Sequence, residues 1–441
     1  MPEVRAAAWP VRDDGMIPKE RYLEREFLDL ELDRMWARVW QVAGREEELP
    51  DPGDYLEYTI GEESILVVRN RDGTLRALLN SCLHRGTRLG EGRGHFDACD
   101  DGGDIRCPYH AWRYALDGRL VEVVDPAEFP DLPENLRLGT VRVDTWGGFV
   151  FVCLDRDAPP LWDFLDPLPT LLAPYHLEQL RFRSYLTTVL PANWKVVIEA
   201  FSEGYHVQGT HPETLPWVDD VGIQYEQFET HAHYGRLANA RRTLEPSPRL
   251  GIDASDVDEA KILRGLVAGL GGAFLGEERA AVDELIAADL PRGELLGAYQ
   301  RRRRELLAAR GFDVTGLDLD QMTSADDVFW FPNLVGPIYP GSAILFRVRP
   351  NGTDPDSAIK DTWVLEWPED PDRWEMPERR RFDDWHERDW GLITNQDYAN
   401  MGRVQAGMKS SGCTAIRLAK RQESNLLHLH QVIDRYLSTA P

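Results

Sequence analysis

Two short motifs constrain this chain more than anything else in it: Cys82-Leu83-His84 and, after 22 intervening residues, Cys107-Pro108-Tyr109-His110. Each pairs one thiol with one imidazole, and Gly86 and Pro108 beside them suit turns, so each pair can occupy a loop tip between strands. Cys82, His84, Cys107 and His110 together make a metal site, and two chemistries compete for it. A Cys2His2 zinc site uses the same residue types, but zinc fingers usually present the cysteines as one pair and the histidines as another. The alternating order favours an iron–sulfur cluster in which neutral imidazoles on one iron reduce the negative charge. That substitution raises the reduction potential by roughly several hundred millivolts over all-thiolate clusters and makes the centre an electron relay.

At 441 residues the chain exceeds the size at which one hydrophobic core usually keeps growing, so two domains are expected. No apolar run approaches the roughly 20 residues of a membrane-spanning helix. The first ten residues lack the basic start and apolar middle of a secretory signal, which points to the cytoplasm and away from membranes. A formal net charge of −25 argues against nonspecific binding to nucleic acid or anionic membrane, both of which need a basic surface. The five cysteines, Cys82, Cys99, Cys107, Cys153 and Cys413, are an odd number and read as metal ligands plus buried thiols.

Residues 17–40 carry apolar side chains at helical spacing and predict one amphipathic N-terminal helix. From Gly53 to Asp155, short β-branched runs between glycine and aspartate turns predict a small all-β domain, followed by a proline- and acid-rich link. Beyond it, strands are expected at 181–190, 343–350 and 362–368, and helices at 193–207 and 382–409, an α+β pattern. Residues 255–311 read as a charged helical region with a solvated face and no chemistry. The expected division is 1–42, a helical segment packing on the larger domain; 43–157, the all-β domain; and 158–441, the larger domain.

The larger domain carries Glu199, Glu203 and His206, then His211-Pro212. In a helix over 193–205, Glu199 and Glu203 would share a face, with His206 one turn later. Gly209 and Pro212 take the chain out of the helix before His211. Fe(II) that activates O2 uses two histidines and a carboxylate on one face, so His206 and His211 form a candidate pair that still needs its carboxylate. Two merely hydrogen-bonded structural histidines are the alternative reading.

With Asn193-Trp194-Lys195 ahead of it, this pattern resembles the catalytic domain of Rieske non-haem iron ring-hydroxylating oxygenases, α subunit. Cys82-Leu83-His84-Arg85-Gly86 and Cys107-Pro108-Tyr109-His110-Ala111-Trp112 resemble the Rieske [2Fe–2S] domain of the same family. The resemblance implies an α+β fold: a small all-β Rieske domain plus a helix-grip-like catalytic domain with a central antiparallel sheet. It implies a mononuclear Fe(II) held by His206, His211 and an aspartate of a C-terminal helix, matched by Asp397 after Gln396, with Asp389 as the fallback. Glu203 takes the place of an acid, usually aspartate, that bridges the Rieske histidine of a neighbouring subunit to the iron ligand. Glutamate there is reminiscent of members acting on quaternary ammonium compounds.

The activity so implied is hydroxylation of an aromatic compound by O2. Electrons would come from NAD(P)H through a separate ferredoxin or flavin reductase, because the chain has no flavin or nicotinamide fingerprint. A monooxygenase or demethylase acting on a non-aromatic quaternary amine, and a noncatalytic Rieske electron carrier, are the alternatives. The family also implies a homotrimer, with or without a β subunit. Phe201, Val207, Trp217 and Phe329-Trp330-Phe331-Pro332-Asn333 are candidate substrate contacts. The spacer between the cluster motifs is longer than is usual in the family, and its acidic part near Cys99 is expected to form an exposed hairpin tip.

Overall fold

Between residues 32 and 164 the short β-branched runs pair into a seven-stranded antiparallel sheet. Its order is Gln41–Arg45, Phe149–Cys153, Thr140–Trp146, Leu75–Leu79, Glu63–Arg69, Asp54–Ile60 and Arg93–His95. A three-stranded sheet, Ile105–Arg106, Arg113–Tyr114 and Leu120–Glu122, completes this unit. Leu66, Val68, Leu78, Trp112 and Tyr114 form a core that also encloses Cys82 and Cys107. The computed structural model describes residues 9–438 except 98, 100–103, 238–244, 254–255 and 270–272. Most of the acidic spacer tip therefore lies outside the described residues.

The second unit joins the N-terminal segment up to Glu31 with residues from Leu165 onward. Its eight-stranded sheet runs Ile223–Gln227, Ala232–Leu237, Asp326–Trp330, Leu334–Tyr339, Ser342–Asn351, Asp354–Glu366, Arg181–Leu190 and Arg379–Phe382. Every pairing is antiparallel except the last, between Arg181–Leu190 and Arg379–Phe382. Two long strands, Ser342–Asn351 and Asp354–Glu366, form a hairpin closed by a two-residue loop, where Gly352 at φ +61° supplies the positive dihedral such a tight turn needs.

The helices of this unit depart from expectation in three places. The N-terminal segment is not one helix: α1 (Glu20–Leu23) and α2 (Arg25–Glu31) are separated at Glu24, which is extended. The break lets Arg21 and Tyr22 reach His430 while Glu31 reaches Lys195, directions that one straight helix could not serve together. The helix expected over 193–207 is also split, into α3 (Trp194–Glu199) and α4 (Val207–Thr210). Finally, α5 (Glu259–Gly269), α6 (Gly276–Ala287) and α7 (Leu295–Ala309) are more than a solvated face. They bury Ile262, Leu263, Leu266, Phe274, Val282 and Tyr299 together, and Arg303 of α7 meets Glu278 of α6 at 2.9 Å in full burial.

The helix expected over 382–409, α8 (Leu392–Met408), starts about ten residues later than expected. Arg379–Phe382 joins the sheet edge first, and Gly391 at φ +88° makes the turn into the helix. α8 packs against α3, which itself lies on the long hairpin, and α9 (Ser424–Ser438) is the last element among the described residues. Among the described residues no helix is long and apolar enough to cross a membrane.

Candidate metal centres

The two cluster loops use one backbone plan. Cys82 N–H donates to Thr87 C=O and Cys107 N–H to Trp112 C=O, each five residues on; Gly86 N–H and Ala111 N–H return to the carbonyls of Cys82 and Cys107. The fourth residue after each cysteine is left-handed, Gly86 at φ +78° and Ala111 at φ +56°, so both loops fold back and present cysteine and histidine side by side. Both thiols are buried, whereas the imidazoles sit at the rim with their centroids 4.5 Å apart.

The donor set fits a [2Fe–2S] group on observations of this structure. His84 Nδ1 is buried and has no hydrogen-bond partner, which a metal bond would relieve. Burial raises the pKa of the Cys82 thiol, with Cys107 adding to the shift, and a cationic centre is what would hold the two as thiolates. Leu83 N–H donates to Tyr114 Oη at 3.0 Å, so the hydroxyl is free to donate to Cys82 Sγ at 3.2 Å, a contact that lowers charge density on the sulfur.

The second centre is built on α3. Asn193 caps it, its side-chain oxygen accepting from Lys195 N–H, while its amide reaches the carbonyls of Tyr22 and Pro355. Trp194 and Lys195 both bind Glu31, the lysine at 2.8 and 2.9 Å, with Lys195 and Glu31 fully buried. The Asn-Trp-Lys motif thus anchors the helix that leads to the site.

After Glu199 the helix ends, and Glu203 explains how. Its Oε2 accepts from the backbone N–H groups of Tyr205 and His206, just ahead of α4, and its Oε1 meets His206 Nδ1 at 2.6 Å. His211 Nδ1 lies 2.7 Å from Gln396 Oε1. With both Nδ1–H groups so engaged, the Nε2 atoms are left as the ligand positions. They converge on Asp397 Oδ1, at 3.7 Å from His206 and 2.8 Å from His211, and the three ligand atoms lie within 4.8 Å of one another.

Two histidines and one carboxylate on one side, with their backs hydrogen-bonded, fit the facial triad of non-haem iron. Burial works to lower the pKa of His206, but Glu203 and then Asp397 raise it on balance. A cavity of about 450 Å³ opens beside the triad, lined by Glu199, Glu203, His206, Asp397 and Glu423 among others.

Asp389, the fallback ligand, is elsewhere: it is exposed and accepts from Asn395 and Gly391 N–H. Of the candidate substrate contacts, Phe201 packs on Phe346 and under the Lys360 ammonium, and Trp217 lies in a groove of α5 where a Cβ on Gly265 would come within 2.4 Å of its ring. Phe329, Trp330 and Phe331 are buried in the sheet core, and none of these residues lines the cavity. Sequence reasoning gave no role to Gln396 as the brace of His211, nor to Tyr22 and His430 behind Glu199. No local pattern marks those roles, because each partner is remote in the chain.

The family model for the ring hydroxylating alpha subunit (catalytic domain) matches residues 177–259 and 296–439, more than half of the chain. The chain belongs to this family. A Rieske [2Fe-2S] domain model matches residues 39–135, which decides the first centre against zinc. The unmatched stretch between 259 and 296 holds most of α5 and all of α6.

Among relatives, the glycine betaine monooxygenase oxygenase subunit of Chromohalobacter salexigens is 37% identical over 208 residues, 46% of this chain and 44% of that protein. The anthranilate 1,2-dioxygenase large subunit of Acinetobacter baylyi is 35% identical over 214 residues, 45% of this chain and 43% of that one. The chain thus matches somewhat less than half the length of these curated relatives. A quaternary ammonium Rieske monooxygenase crystallised with L-carnitine has the same fold, with a TM-score of 0.65 at 19% identity over 97% of this chain and 96% of the other.

Proposed function

We propose that this chain is the oxygenase component of a Rieske non-haem iron monooxygenase that oxidises an N-methyl group of a small quaternary ammonium compound. The convergence of His206 Nε2, His211 Nε2 and Asp397 Oδ1 carries the reading, because a noncatalytic electron carrier has no use for a second such cluster. Iron(II) held there would supply O2 activation, which no side chain can provide. The chain's own part is positional: Glu203 and Gln396 fix the two imidazoles with Nε2 inward.

Cys82, His84, Cys107 and His110 hold the [2Fe–2S] cluster within a cluster domain at 43–157, and 158–441 forms the catalytic domain. Electrons come from NAD(P)H through a separate ferredoxin or flavin reductase. The working unit is a homotrimer in which Glu203 bridges to the cluster histidine of a neighbouring subunit. The glycine betaine relative and the glutamate at position 203 support the quaternary ammonium substrate. Ring hydroxylation is the second reading, favoured by the anthranilate dioxygenase relative.

The test begins with metal analysis of anaerobically purified protein, where about three irons and two sulfides per chain are expected. O2 uptake is then followed with a reductase and glycine betaine, carnitine or anthranilate. Formaldehyde release from the methylated amines alone supports the first reading. Oxidation of anthranilate alone replaces it with the second, and zinc without sulfide removes both.

A further inference from the structure

Behind the cavity wall, Tyr22, Glu199 and His430 form a closed triangle. Tyr22 Oη lies 2.9 and 3.1 Å from the two Glu199 oxygens and 2.7 Å from His430 Nε2, and His430 Nε2 lies 2.9 Å from Glu199 Oε1. Arg21 Nε donates to His430 Nδ1 at 3.0 Å, so that nitrogen must accept and the ring proton sits on Nε2, facing the carboxyl. Burial, with Arg21 and Lys195 nearby, holds His430 well below its usual pKa, and the ring stays neutral.

Glu199 is pushed up to about 8 by burial, with Glu423 adding to the rise and Tyr22, Lys195 and Arg21 opposing it. The two opposing cations are themselves matched, Lys195 by Glu31 and Arg21 by Asp434. At neutral pH Glu199 therefore carries a proton, and it lines the same cavity as Glu203, His206 and Asp397.

We propose that Glu199 is the acid that delivers a proton into the cavity beside the His206/His211/Asp397 triad, with Tyr22 and His430 as the donors that stabilise its carboxylate afterwards. The inference rests on the oxygenase reading above. Hydroxylation of a methyl group follows R–CH3 + O2 + 2 e⁻ + 2 H⁺ → R–CH2OH + H2O. One C–H and the O–O bond break, a C–O bond forms, the second oxygen leaves as water, and the electrons come from the nicotinamide-fed reductase. Glu199 supplies one of the two protons at a buried position and is reprotonated from water in the cavity. An acid with a pKa near the working pH is well matched to that task.

The test compares wild type, Glu199→Gln and Tyr22→Phe as holoenzymes with a reductase and glycine betaine, alongside infrared spectra of the same proteins without substrate or reductant. Glu199→Gln should keep wild-type iron content and the Rieske EPR signal yet lose turnover about a hundredfold or more. The donor must be protonated, so wild-type turnover should fall as pH rises through about 8, and this limb should vanish in Glu199→Gln. Tyr22→Phe removes a donor to the anion, so its limb should move to higher pH. In the infrared, a protonated-carboxyl band should titrate over the same range and be absent from Glu199→Gln. Wild-type turnover with an unchanged pH profile in Glu199→Gln, or the lack of any band removed by that substitution, overturns the proposal. An iron-loaded wild type that oxidises nothing sinks the oxygenase reading instead, and the infrared band still decides the protonation of Glu199.

Discussion

The two centres are built by opposite routes. The cluster loops are local: each places its cysteine and histidine within four residues, and the same pair of backbone hydrogen bonds closes both. The triad is assembled from segments up to 191 positions apart, and side chains rather than backbone turns set its geometry, with Glu203 behind one imidazole and Gln396 behind the other. A site written into two turns depends on those turns, whereas a site assembled across a domain depends on every contact that docks its segments.

The sharpest way to break this contrast is to remove one ligand from each centre. His206→Ala should cut turnover to below about one-thousandth of wild type. Iron should fall from about three to two per chain while the reduced Rieske EPR signal persists. Cys107→Ser should do the reverse, losing the cluster and its sulfide while the triad keeps its iron. If either substitution empties both centres, they are not independent.

A substitution far from any ligand should also reach the triad. Lys195→Met leaves Glu31 buried without its cation and should cost about 3–5 kcal/mol in denaturant unfolding of the catalytic unit. Replacing Glu31 by leucine in the same protein should recover much of that loss. Gln396→Leu should be milder, lowering Fe(II) affinity roughly 10- to 100-fold in a metal titration, with the cluster unaffected. Smallest is Tyr114→Phe, which removes a hydroxyl from Cys82 Sγ. A hydrogen bond worth about 1 kcal/mol corresponds to roughly 40 mV in a one-electron couple, so the cluster potential should drop by about that much in a redox titration.

The same contrast explains what could be read from the sequence. Cys82, His84, Cys107 and His110 were legible because turn geometry and ligand order are local properties. His206, His211 and Asp397 were placed through family resemblance, since no periodicity connects positions 206 and 397. The continuous helix over 193–207 was the natural reading of its apolar pattern, but Glu203 claims the N–H groups of Tyr205 and His206 and breaks it. The helices between 255 and 311 looked merely solvated because charges are dense among their apolar positions, as in the run Arg301 to Glu305. Their inner sides nonetheless share a core, and even Arg303 is buried there once Glu278 pairs with it. Gly391 is the local marker for the late start of α8, but the charged, aromatic-rich run ahead of it, Arg381 to Trp390, has a composition that a helix also accepts.

Glu203 uses one oxygen on two backbone amides and the other on an imidazole. The path of the loop from 200 to 206 and the tilt of the His206 ring are therefore one mechanical variable. A change at that one carboxylate would bear on the ring and on the loop together, so neither can be adjusted without the other.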